Sequence, residues 1–165
     1  MDMNPIETLI AIAEIATALA GFSGVVVVFG SRSQGSWNPG DRLRLNFLLE
    51  ASLTAGGFAL LTLLALNITQ REGLTWVTTG SLWSVYMAYS LYSSHRRINQ
   101  NLQAHDDIDK VSNQIVSLAF VIMILLQVVN ALLWQAFAPL LAALIVNLAG
   151  AALQFTRLIR SAFHD

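Results

Sequence analysis

The chain has 165 residues, of which 55% are hydrophobic and 12% charged, with a formal net charge of -1 at pH 7 and no Cys. A soluble domain carries about 25% charged residues, so too few charges are present here to coat a globule in water. No basic block exists to hold nucleic acid, and the lack of Cys excludes disulfides, thiolate metal sites and thiol nucleophiles together.

The expected architecture is all-α: an integral membrane bundle of five transmembrane helices, in a single transmembrane domain over residues 1–165. The first span, about 6–29, opens on Asn4-Pro5-Ile6-Glu7, where Asn4 can cap, Pro5 suits the first turn and Glu7 completes a capping box. No Lys or Arg precedes it, and it exceeds the ~7–15 residues of a signal-peptide core, so it reads as a retained span. The second, about 43–68, repeats the start signal in Asn38-Pro39-Gly40-Asp41 and carries Arg42 and Arg44 at the membrane edge. The third covers about 74–92, the fourth about 111–134 and the fifth about 138–159. One rod from Val111 to Ile159 would be ~73 Å long, more than twice the hydrocarbon thickness, so a tight hairpin at Gln135 to Pro139 must separate the last two.

Basic residues alternate between the connections. Arg32, Arg42 and Arg44 precede span two, Arg96, Arg97 and Lys110 precede span four, and Arg157 and Arg160 follow span five, whereas Arg71 alone falls on the other side. The positive-inside rule therefore places the N-terminus outside and the C-terminus in the cytoplasm. Trp37, Trp76 and Trp134 fall near span ends, as interfacial aromatics do, while Trp83 and Tyr86 lie deep in span three. The connection 93–110 is the one cytoplasmic loop with room to dock a membrane-protein partner.

Glu14 and Glu50 lie within spans, where an ionisable side chain costs on the order of 3 kcal/mol. Glu7, Ala11, Glu14, Ala18, Gly21, Val25 and Val28 recur at steps of four and three, on one stripe of span one. Around a symmetry axis, that stripe makes a cation-attracting mouth above a hydrophobic constriction. Ala16, Ala20 and Gly24 form a small-xxx-small face for close helix packing. In span two, Arg42, Asn46, Glu50, Thr54 and Gly57 make a polar ladder. Each set has two readings: an ion path through Glu7, Glu14, Gly21, Val25, Val28, Asn46 and Glu50, or polar groups that bond neighbouring helices and conduct nothing. For Gln127, Asn130, Asn147 and Gln154 the expected role is interhelical hydrogen bonding.

Other motifs lack what their chemistry needs. Gly30-Ser-Arg-Ser-Gln-Gly35 has phosphate-loop glycine spacing, but Ser36-Trp37 stands where Lys and Ser/Thr are required. His95, His105 and His164 lack ligand spacing, and Asp106, Asp107 and Asp109 suit the start of span four. No metal and no cofactor is expected. Nucleophile, base and metal set do not converge at one depth, so an enzyme is not expected either.

The stretch AGFSGVVVVFG, followed by a Gly/Ser turn, Trp37 and DRLRL, resembles small bacterial multi-pass inner-membrane proteins over residues 14–53. That resemblance implies a cell inner membrane and no activity to carry over. The leading expectation is a homo-oligomeric channel or pore for a small cation or protons with span one near the axis. The alternative is an accessory or scaffold subunit of a larger membrane complex.

Overall fold

The computed structural model describes residues 4–34, 39–100 and 110–163, and the side chains of 4–26, 40–96 and 114–161. The side chain of Val28, Trp37 with Asn38, and the His105 to Asp109 part of the connection 93–110 lie outside the described residues. The described chain is helical: α1 (Pro5–Gln34), α2 (Pro39–Thr69), α3 (Glu72–Gln100), α4 (Lys110–Val129, running on as a π-helical turn over Asn130–Trp134) and α5 (Phe137–Phe163).

The expected start of α1 is present. Asn4 Oδ1 accepts from the Ile6 N–H at 3.0 Å and Asn4 Nδ2 donates to Glu7 Oε1 at 3.0 Å, so the cap and the acidic residue close on each other. The hairpin between the last two helices is also present. Gln135 turns through the left-handed region at φ 49, and its N–H donates to the Asn130 carbonyl at 2.8 Å. The Asn130 side chain closes the loop from both sides, accepting from Ala136 N at 2.9 Å and donating to Ala136 O at 3.1 Å. Gln70, at φ 51, makes the comparable turn between α2 and α3.

Four helical segments are long and apolar enough to cross a membrane: Pro5–Val26, Gly40–Thr69, Gln114–Trp134 and Phe137–Ser161. The expected third span differs. It forms a helix, α3, that continues past Tyr92 to Gln100, but its many Ser and Thr residues keep it below the apolarity of the other four. Several of those hydroxyls are occupied by the helix itself. Thr79 donates to the Thr75 carbonyl at 2.7 Å and Ser84 to the Gly80 carbonyl at 2.9 Å, both buried. Such back-bonding satisfies these buried hydroxyls within α3 itself, while Thr78, Ser81, Tyr89 and Tyr92 remain on its exposed face.

Cross-helix contacts fix the relative directions. Ser161 donates to Asp41 at 2.9 Å, joining the end of α5 to the start of α2, where Arg44 also pairs with Asp41. Thr69 and Thr75 share a bond at 2.8 Å where α2 turns into α3. Gln127 Nε2 donates to the Pro139 carbonyl at 2.8 Å, joining the end of α4 to the start of α5. Each helix therefore runs opposite to its chain neighbours. We call the two ends the Pro5 end and the Asp41 end. The most extensive packing joins α2 to α1 and to α5, and α5 also touches α1, α3 and α4.

The core follows helical periodicity. Leu9, Ile12 and Ala16 of α1, Ala55 and Ala59 of α2, Trp76, Trp83 and Met87 of α3, Phe120 of α4 and Leu140, Ala143, Leu144 and Leu148 of α5 form one buried cluster. Trp76, expected at an interface, is instead 3% exposed with its ring 4.9 Å from that of Phe137. That ring contact joins α3 to α5 across sixty residues of chain, a distance at which residue order along the chain places no neighbour. The outer faces are apolar too, with Leu60, Leu64, Leu118, Ile122 and Leu125 exposed. A chain whose outer faces are as apolar as its core is suited to lipid rather than water.

Candidate functional site

Two polar features stand out, and the structure keeps them apart. The first is the open face of α1. Glu7, Ala11, Glu14, Ala18, Gly21 and Val25 are all exposed, so the predicted stripe forms a continuous flank, with Val25 49% exposed. Leu9, Ile12 and Ala16, on the other side of the helix, are buried. Glu14 lies ~13 Å along the helix from Pro5, within the apolar segment Pro5–Val26.

The small-residue face divides between the two environments. Ala16 is buried, and a Cβ placed on Gly56 of α2 would stand 3.1 Å from its Cβ, so this position brings α1 and α2 close within one chain. Ala20 is half-buried, whereas Gly24 is exposed, and a Cβ there or on Gly21 would meet nothing within 4 Å. One end of this face is thus used inside the chain, and the other lies open beside the acidic stripe.

The second feature is a cavity of about 770 Å³, counting its open mouth. It is lined from α2 by Phe47, Glu50, Ala51 and Thr54, from α3 by Met87, Ser90, Leu91, Ser94 and His95, from α4 by Val116, Ser117 and Phe120, and from α5 by Asn147, Gly150 and Gln154. The helix directions order these residues by depth. Thr54, Met87, Phe120 and Asn147 form the floor, while Phe47, His95, Val116 and Gln154 lie toward the Asp41 end.

Glu50 is half-buried, and Ser90 Oγ donates to its Oε1 at 2.5 Å, fixing the carboxylate across the α2–α3 interface. Asn46, four residues earlier, is exposed, so the polar ladder of α2 divides: its Asp41-end members Arg42 and Asn46 face outward, while Glu50 and Thr54 face the cavity. The seven candidate ion-path residues do not form one route in a single chain. Glu7, Glu14, Gly21 and Val25 lie on the open flank of α1, Glu50 lies in a cavity lined from α2 to α5, and Val28's side chain is not described.

The other membrane-depth amides have distinct environments. Gln127 makes the interhelical bond expected of it, and Asn130 bonds the hairpin turn. Asn147 does not follow the expectation: it is 1% exposed, and both its Oδ1 and Nδ2 are buried without a hydrogen-bond partner among the described residues. No single span carries the cavity, because its walls come from four helices. The available signal was depth matching: Glu50, Ser90 and Gln154 fall at similar distances from the basic end of their spans.

Comparison of the chain with protein families, curated proteins and solved structures finds no match in any of the three.

Proposed function

We propose that the protein is a homo-oligomeric membrane channel for a small cation or protons, assembled with the open flank of α1 toward the symmetry axis. The observation that carries this reading is the exposure of Glu14 within an apolar, membrane-length segment. Facing lipid, each such carboxylate costs on the order of 3 kcal/mol; facing a wet axis shared with other copies, it keeps its hydration. Glu7 and Glu14 then concentrate cations at the mouth, Gly21 leaves room for hydrated passage, and Val25 contributes an apolar constriction that gates by dewetting. In this reading α3 is the third of five spans, with Thr79 and Ser84 turned back on its own carbonyls. The excess of basic residues at the Asp41 end supports a cytoplasmic position for that end, and the resemblance over residues 14–53 supports an inner membrane.

A second reading is favoured by the openness of Gly21 and Gly24. That open face also accommodates a helix of a different membrane protein, which would make the chain an accessory subunit. Cross-linking separates the two, and the chain's lack of Cys makes single-cysteine variants clean. A channel built on α1 predicts that Gly21→Cys and Val25→Cys cross-link chain to chain in native membranes, whereas Leu125→Cys on the outer face of α4 does not. Cross-links only to another protein, or none from α1, would overturn the channel reading.

A further inference from the structure

The cavity of α2 to α5 stands apart from the α1 flank, and Asn147 makes it informative. Asn147 occupies a place in the buried stripe of α5 among Leu144, Leu148 and Ala151, where an apolar side chain would pack without penalty. Burying an amide with neither atom bonded is unfavourable, and a group kept unsatisfied inside a fold calls for an explanation. Here the amide lies on a cavity wall, where a bound molecule can supply the missing partners.

Charge and shape define that molecule. Glu50 is the one carboxylate in the lining, and the lining contains no Lys or Arg among the described residues, so the interior favours a cation. Ser90 holds Glu50 Oε1, which presents the carboxylate in one orientation. A small inorganic divalent ion prefers several oxygen ligands, carboxylates above all, and gives up its waters reluctantly, a demand that a lining with a single carboxylate among hydroxyls, amides and one His does not meet. Phe47, Met87 and Phe120 instead offer aromatic and thioether surface to an apolar body, with cation–π attraction added.

We infer that this cavity binds a small organic ammonium ion, its charged nitrogen held by Glu50 and the Asn147 carbonyl and its apolar body resting on Phe47, Met87 and Phe120. Asn147 Nδ2 donates to an acceptor carried by the ligand or its water. Entry is from the Asp41 end, past Gln154. The inference is independent of the α1 reading, because α1 contributes no described side chain to the lining.

The test uses the full-length protein in mild detergent and follows its thermal midpoint and calorimetric titration. The probes are methylammonium, n-butylammonium, benzylammonium and phenethylammonium, with benzyl alcohol and benzoate as the neutral and anionic counterparts. At least one ammonium compound is expected to raise the midpoint at millimolar concentration, and the alcohol and benzoate are not. Glu50→Gln is expected to weaken binding about tenfold or more, as loss of a charge-assisted bond does. Asn147→Leu should abolish binding while raising the midpoint of the ligand-free protein, which separates a lost site from a lost fold. Thr17→Val, on the exposed side of α1, should bind as the unaltered chain does. Three results would overturn the proposal: no ammonium compound binding up to about 10 mM, well below the affinity expected of a built site; benzyl alcohol binding as tightly as benzylammonium; or unchanged affinity in Glu50→Gln.

Discussion

Replacing Gly80 of α3 by Ala is expected to weaken the fold although it places a better helix former in a helix interior. A Cβ at this position would stand 2.5 Å from Gln127 Oε1 and 3.2 Å from its Cδ. Ordinary contact needs ~3.5 Å, so the amide must retreat by about 1 Å. A flexible side chain usually swings aside, but Gln127 is 2% exposed and its Nε2 is tethered at 2.8 Å to the Pro139 carbonyl. Retreat breaks that tether and leaves a buried amide and carbonyl unpaired, at about 1–3 kcal/mol. Interhelical bonds in membranes average nearer ~0.6 kcal/mol, and Ala returns up to about 1 kcal/mol of helix propensity, so a net loss of about 1–2 kcal/mol is expected once overpacking is included. Unfolding in mixed detergent–SDS micelles, measured for Gly80→Ala, Gln127→Ala and the pair, reads the coupling directly. In the Gln127→Ala background Gly80→Ala should become neutral or stabilising. An equal loss in both backgrounds would refute the collision as the cause.

Three further outcomes are expected. Gln135→Gly should raise stability by about 1 kcal/mol, because φ 49 is costly for any residue with a Cβ, and equilibrium unfolding would show a decrease if the turn were held otherwise. Gly56→Val should cost about 1–3 kcal/mol by driving α2 from Ala16, whose Cβ already lies 3.1 Å from the place of a first added carbon. Unchanged stability would show that α1 yields freely. Asn4→Ala should cost about 0.5–2 kcal/mol locally and speed hydrogen exchange at the Ile6 amide, which its side chain now holds at 3.0 Å. Unaltered exchange there would remove the cap.

The helices were legible because their signals are local: Asn4 with Pro5, Pro39, Pro139 and long apolar runs mark starts and lengths without reference to the rest of the chain. Where local signals fade, so does the reading. Ser93 to Gln100 is polar and reads as a loop, yet it continues α3 as helix. Trp76 has the position of an interfacial aromatic, but Phe137 lies beside it and buries it. The stripe on α1 was visible as a period of four and three, since one helix carries all of it. The α2 ladder was visible as a period as well, but its division between an exposed Asn46 and a cavity-facing Glu50 depends on Ser90, forty residues away. Asn147 reads as a bonded amide because buried amides usually make a bond, and only the packing of four helices places it, buried, on a cavity wall.

Ion flux into proteoliposomes tests the central claim most directly. The purified protein and its Glu14→Gln variant are reconstituted side by side under an imposed proton or potassium gradient. Flux in the unaltered protein that falls by at least about tenfold in the variant, as loss of a charge from a pore mouth predicts, is the expected result. Silence in both, or flux indifferent to Glu14, would contradict a conduction path along α1.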